Sequence, residues 1–186
     1  MLIALCGKSG VGKTVLAAKL SDYGYTKVVT DTTRPMREGE EHGVDYYFDD
    51  LDTWKEYEEE GEFLEKTSYT VANGETWHYG TTKGQLNDAL GGDNKAVIIL
   101  NPDGIRAFKG QNIPMVVFQI TSDETVILSR LMARGDSRKE IKRRMRADDA
   151  DFAAFDKYVD YMIENRKDTD LDDLAQSIIN LAELGA

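Results

Sequence analysis

The sequence has 186 residues, 41% hydrophobic and 31% charged, which suits one globular domain carrying at most small inserted lobes. Its net charge of −11 argues against a protein that grips nucleic acid through phosphate contacts. No apolar run approaches the ~18 residues of a membrane-spanning helix. The lone Cys6 excludes an intramolecular disulfide, and His42 and His78 lie too far from it in sequence to suggest a zinc cluster. These features predict a soluble, cytoplasmic protein without nucleic-acid or membrane partners.

In chain order, Leu2–Cys6 is an apolar run ending at Gly7, the pattern of a strand buried on both faces. Thr14–Leu20 reads as a short amphipathic helix, and Val28–Val29 as a second short strand. Val44–Phe48 and Phe63–Tyr69 read as strands flanking an acidic helix, Leu51–Glu60. Asn73-Gly74 is a hairpin-turn signal. Thr82–Leu90 reads as a helix ended by Gly91-Gly92. Ala96–Leu100 and Met115–Ile120 are two further buried strands, each leading into a helix. The stretch from Glu124 to about Asn165 reads as mostly helical, interrupted at Gly135-Asp136. A last helix follows, with Thr169 and Asp172 at capping-box spacing and Leu171, Leu174, Ile178 and Leu181 on one face. The alternation predicts an α/β fold: a parallel sheet covered by helices on both faces. Segments 32–85 and 123–150 are patterned differently and are expected to be excursions from a core formed by 1–31, 86–122 and 151–186.

Charge is unevenly distributed. Glu38–Glu65 holds 13 acidic residues and one lysine, whereas Arg130–Arg146 holds eight basic and two acidic residues. Six of the ten arginines fall in that second block, a concentration suited to holding an anion.

The strongest motif is Gly7-Lys8-Ser9-Gly10-Val11-Gly12-Lys13-Thr14, a complete G-x-x-x-x-G-K-[ST] phosphate loop between a buried strand and a helix. Glycines let the backbone N–H groups turn toward phosphates, and the helix N-terminus adds the positive end of its dipole. Lys13 is placed to reach the β- and γ-phosphates, and the Thr14 hydroxyl to ligate Mg²⁺. Further along, Arg34 and Arg37 flank Pro35 in Thr30-Asp31-Thr32-Thr33-Arg34-Pro35-Met36-Arg37-Glu38-Gly39-Glu40. Two forked guanidinium groups at this spacing suit a single phosphate group, the competing reading being an exposed loop that pairs with nearby glutamates.

The run T-T-R-x-x-R-x-G-E-x-x-G-x-D-Y-x-F up to Phe48 resembles the guanylate kinase family. So do Glu65 after Gly61-Glu62-Phe63-Leu64, Tyr79-Gly80-Thr81, and Arg134-Gly135 followed by Ile141-Lys142-Arg143-Arg144-Met145. With Asn165 and the terminal helix, the resemblance covers nearly the whole chain. It implies a phosphate-loop nucleoside monophosphate kinase fold in which 32–85 is the acceptor lobe and 123–150 the lid. It implies transfer of the ATP γ-phosphoryl group to GMP or dGMP with Mg²⁺. Arg34, Arg37, Tyr46 and Tyr79 match positions that grip the acceptor phosphate. Glu65, Thr81, Thr30 and Asp103 match positions near the guanine base, and Arg134 and Arg144 match lid arginines that close over the transferring group. Lys13, Arg37, Arg134 and Arg144 are thereby the expected catalytic set, with Arg143 the rival of Arg144. For the two tyrosines, core packing is the competing reading.

Three departures bear on base specificity more than on reaction type. Asn101 stands where the family has an aspartate, Gly104-Ile105-Arg106 replaces its usual Q-G, and 14 positions separate Glu65 from Tyr79, several more than usual. Two other readings stay open at this level. One is a monophosphate kinase of different base preference. The other is a non-catalytic interaction module, although such modules typically lose the lysine and glycines that this loop keeps.

Overall fold

The computed structural model describes residues 1–71, 73–92 and 94–185. Strand β1 (Leu2–Cys6) is buried throughout, and alternation along it divides the core into two layers. Ile3 and Leu5 meet Leu16 and Leu20 of α1 (Lys13–Asp22), Leu131 of α5 (Glu124–Ala133) and Ile178 of α7 (Leu171–Leu184). Leu2, Ala4 and Cys6 face the other way, toward Leu86 of α3 (Lys83–Leu90), Ile105 and Phe108 of α4 (Pro102–Gly110), and Phe155. The strand thus reads as an unbroken apolar run because neither of its faces meets water.

Five parallel strands form the main sheet. Besides β1 they are β2 (Tyr25–Lys27), β7 (Lys95–Ile99), β8 (Val116–Thr121) and β9 (Tyr161–Glu164), in the order β2-β7-β1-β8-β9. A second sheet carries β3 (Asp31–Thr32), β4 (Tyr47–Phe48), β5 (Phe63–Thr70) and β6 (Thr76–Thr82) in the order β4-β3-β6-β5. Helix α2 (Leu51–Glu59), capped by Asp50, lies between β4 and β5, and its buried Trp54 packs on Phe63 with ring centroids 4.3 Å apart. After α5 the chain breaks at Gly135 (φ 88°) before α6 (Arg138–Asp151).

The structure corrects four local expectations. The second strand lies at Tyr25–Lys27, while Val28 and Val29 follow it outside any strand. Only Tyr47–Phe48 of the Val44–Phe48 segment pairs in a sheet. The helical stretch expected to run to Asn165 ends at Asp151, and a short 3₁₀ turn then leads to β9. Four residues are too few for period-two alternation to stand out from the helical pattern before them. It is tertiary pairing with β8, and the Tyr161 ring stacked on Phe118 at 5.2 Å, that makes the strand. Finally, α7 is capped by Asp170, whose carboxylate accepts from the Asp172 N–H (2.8 Å) and the Asp173 N–H. Thr169 instead accepts from the Arg166 N–H, because a charged oxygen one residue later is the stronger acceptor for the helix end. The Asn73-Gly74 signal does close a hairpin, joining β5 to β6, and the latter strand is absent from the sequence reading.

Candidate active site

The phosphate loop leaves the C-terminal end of β1 and feeds α1, with Gly12 at φ 100°, a conformation that side chains disfavour. Lys13 folds back over the loop, its Nζ donating to Gly7 O (2.6 Å) and Lys8 O (3.0 Å). Because C=O and N–H point opposite ways across a trans peptide, holding these carbonyls turns the following N–H groups the other way. One of them, Ser9 N–H, donates to Asp148 Oδ2 at 2.7 Å, while Lys8 ion-pairs with Asp149. Burial pushes the Lys13 ammonium down to about 8; Asp148 opposes that shift, and Arg134 and Arg144 add to it.

Some of the most deeply buried charge sits in segment 32–85. Arg34 is 3% exposed, and its guanidinium meets Glu40 with two N–H···O bonds of 2.8 Å. A third bond runs to Pro35 O (2.7 Å), and the group lies 5.4 Å from the ring centroids of both Tyr46 and Phe48. Arg37 is half-buried, with its backbone N–H on the same Glu40. Burial and then Arg34, Arg134 and Arg144 lower its proton affinity, so four cations converge electrostatically here. Tyr46, Tyr79 and Tyr69 form an edge-to-face row with centroids 6.1 and 5.9 Å apart.

Glu65 follows an irregularity in the β5–β6 register between Phe63 and Glu65 and stands opposite Thr81, whose hydroxyl donates to its Oε1 at 2.8 Å. A Cβ on Gly104 would fall 3.3 Å from Glu65 Oε2, so the glycine gives this carboxylate room against α4. Burial pushes Glu65 up to about 7, with the Thr81 hydroxyl opposing. Asn101 caps α4 by accepting from Gly104 N–H (2.7 Å) and donates Nδ2–H to the Tyr69 hydroxyl (2.7 Å). The residue that departs from the family pattern therefore ties the extended hairpin to the core.

Arginines of segment 123–150 complete the wall. Arg134 pairs with Asp136, Arg143 holds Glu140 through two bonds (2.8 and 2.9 Å), and Arg144 Nε stands 2.9 Å from Glu140 Oε1.

One cleft of about 760 Å³ collects these groups, and every expected site residue lines it except four. Lys8 turns to Asp149, Val11 is buried in the core, and Thr81 acts only through Glu65. Asp103 is exposed and paired with Arg106, outside the cleft wall, because α4 directs it outward. Sequence reasoning missed Asp148 and Tyr69, and it held the pairing of Arg34 with a nearby glutamate, here Glu40, only as the competing reading. The only signals were the reversal of charge at Asp148-Asp149 after a basic helix and an aromatic residue beside the hairpin turn.

The guanylate kinase family model matches residues 1–182. Guanylate kinase from Hydrogenovibrio crunogenus is 32% identical over 178 residues, spanning 93% of this chain and 84% of that protein. The Symbiobacterium thermophilum guanylate kinase is 32% identical over 184 residues, spanning 97% and 82%. A crystal structure of guanylate kinase from Anaplasma phagocytophilum shares the fold with a TM-score of 0.67 at 24% identity, covering 99% of this chain and 85% of that one. The chain thus belongs to the guanylate kinase family.

Proposed function

We propose that the chain transfers the γ-phosphoryl group of ATP to GMP or dGMP, giving ADP and GDP or dGDP. One observation carries this reading. The lid arginines Arg134 and Arg144 line the same cleft as Lys13 of the phosphate loop and Arg37 of the acceptor lobe. A donor phosphate on the loop and an acceptor phosphate on the arginine pair would share those cations.

An acceptor phosphate monoester has a second pKa of ~6 and is mostly dianionic at pH 7, so its attacking oxygen needs no base. Catalysis is then positioning and neutralisation. Lys13, Arg134 and Arg144 offset charge on the transferring group, while Arg34, Arg37, Tyr46 and Tyr79 aim the acceptor. Segments 32–85 and 123–150 act as acceptor lobe and lid on the remaining core, and their closure excludes the water that would otherwise hydrolyse ATP. Glu65 accepts from guanine N1–H and N2–H₂; adenine has no such donor pair, so a buried carboxylate would be left unpaired against it. Thr81 orients Glu65, and Thr30 stands on the same cleft wall.

Mg²⁺ fits this wall as an ion delivered with the triphosphate. Thr14 lines the cleft in the first turn of α1, and among the described residues no cluster of three or more His, Cys, Asp or Glu side chains forms a cage. Thr14 would supply one oxygen ligand, and the ion would neutralise phosphate charge. Among the described residues no helix is long and apolar enough to cross a membrane; a kinase drawing on ATP and nucleoside monophosphates belongs in the cytoplasm.

The test is ADP release from ATP with ten nucleoside and deoxynucleoside monophosphates. GMP and dGMP should lead, and Glu65→Gln should cut turnover with both far more than it changes ATP binding. Preference for AMP, CMP or dTMP would refute the guanine assignment and shift attention to the hairpin at 65–79.

A further inference from the structure

Two side chains outside the motif hold the phosphate loop by its carbonyls. Asn165, 2% exposed, donates Nδ2–H to Val11 O at 2.8 Å. Arg130 donates from Nη1 to the same oxygen at 3.1 Å and to Gly10 O at 3.4 Å, and from Nη2 to Arg166 O at 3.3 Å. Both anchors are themselves fixed. The Asn165 N–H donates to Thr121 O (2.8 Å), and its carbonyl accepts from Ser122 Oγ (2.6 Å). Arg130 projects from α5 between Ile127 and Leu131, whose side chains lie 3.3 and 3.2 Å from where a Cβ on Gly10 would stand. A Cβ on Gly12 would fall 2.5 Å from Asn165 Nδ2, so the loop glycine is the counterpart that lets this contact form.

The consequence lies in the peptide plane. With Val11 O drawn toward Asn165 and Arg130, the Gly12 N–H must point the opposite way. Lys13 does the same for Lys8 and Ser9 at the other end of the loop. Three of the loop residues are glycines, and Val11 alone packs into the core, so side-chain packing leaves the flanking peptides freer to rotate than those of an ordinary buried segment.

We propose that Arg130 and Asn165 are positioning residues for the triphosphate: they preset the loop's peptide dipoles so that the Gly12 N–H meets phosphate without reorganisation. The proposal rests on the kinase reading above but concerns its donor half alone. Arg130 also stands one helical turn before Arg134, so the same helix that presets the loop carries the chain into the lid.

The experiment is calorimetric titration of the full-length chain with Mg·ADP, alongside KM for ATP and for GMP and the thermal midpoint. Arg130→Met removes three donor contacts while keeping an aliphatic stem. Asn165→Ala removes the neutral donor, and Arg130→Lys keeps the charge without the fork. Loss of hydrogen bonds that include a charged donor should weaken ADP by roughly 10- to 100-fold in Arg130→Met. Asn165→Ala should weaken it several-fold, and Arg130→Lys should recover only part of the loss. KM for ATP should rise in parallel while KM for GMP stays within about twofold.

ADP binding like the wild type in both Arg130→Lys and Asn165→Ala would reduce the effect to bare charge and overturn the proposal. So would a rise of both KM values in step with a fallen thermal midpoint. The two readings fail separately. If the wild type phosphorylates no guanine nucleotide yet the variants lose ADP, the acceptor assignment falls and the loop assignment stands. If guanine nucleotides turn over but the variants bind ADP normally, the reverse holds.

Discussion

The two ends of the cleft are built on different principles. At the phosphate loop, eight consecutive residues bring backbone N–H groups, the Lys13 ammonium and the Thr14 hydroxyl together where β1 passes into α1. In the lobe built on the second sheet the polar groups come from β3, the loop after it, β5, β6 and α3, and they are held by one another: Arg34 by Glu40, Glu65 by Thr81, Asp31 by Gln85 at 2.7 Å. A site made of peptide dipoles is held by neutral carbonyls, here gripped by Lys13, Asn165 and Arg130, and leaves no charge stranded when one of those bonds is lost. One made of buried charges must pair each of them, since an unpaired buried ion is costly. Function and stability should therefore be separable at the loop and entangled in the lobe.

Lys13→Ala tests the first half and should have the largest effect. Turnover should fall by ~10³-fold or more, on the scale seen when a cation facing the transferring phosphoryl group is lost, while the thermal midpoint changes little. Wild-type turnover in the folded variant would remove the loop from the chemistry. Arg34→Ala and Arg37→Ala test the second half. Arg34 is buried in a two-bond pair with the partly exposed Glu40, which keeps its bond from the Arg37 N–H, so its loss should cost roughly 1.5–3 kcal/mol of stability, as well as raising KM for GMP. Arg37 is 33% exposed in its side chain, so its loss should raise KM for GMP with the thermal midpoint nearly intact. Equal melting of the two variants would break the comparison.

The smallest and sharpest contrast is in pH dependence. Lys13, pushed down to about 8, loses its charge as pH rises, so kcat/KM for ATP should decline above about pH 8. Glu65, pushed up to about 7, is a carboxylate only above that value, and its protonated form offers an O–H where guanine needs an acceptor. The kcat/KM for GMP should therefore decline below about pH 7, and Glu65→Gln should remove that step, leaving only the decline below about pH 6 that protonation of the acceptor phosphate itself brings. A shared profile for both substrates would mean that neither group controls its own end.

Legibility followed the same division. The loop motif could be read because its residues are contiguous and each has a stated job in one turn of chain. Arg34 and Arg37 could be read as a phosphate-binding pair from their spacing, but not that Glu40 would engage both. In sequence, Asn101 stands out only as a departure from the family's aspartate. Its place at the start of α4, within reach of Tyr69, makes it a helix cap and a tie for the hairpin. Asp103 follows the family pattern in sequence yet points out of the cleft toward Arg106, since helical phase decides which way it faces.

The sequence by itself determined the layered α/β core, through apolar runs and helical periodicity, and the phosphate loop, through local backbone requirements. Both are short-range: burial of a strand and the turn of a loop depend on residues adjacent in the chain. Only the tertiary structure decided that Tyr161–Glu164 would be a strand and that Asp148 would meet Ser9 across 139 positions. The same is true of Asn165 reaching Val11 across 154. Those contacts depend on where distant segments are brought when two core layers close around one sheet, and a short polar segment carries no periodic signal of the partner it will find.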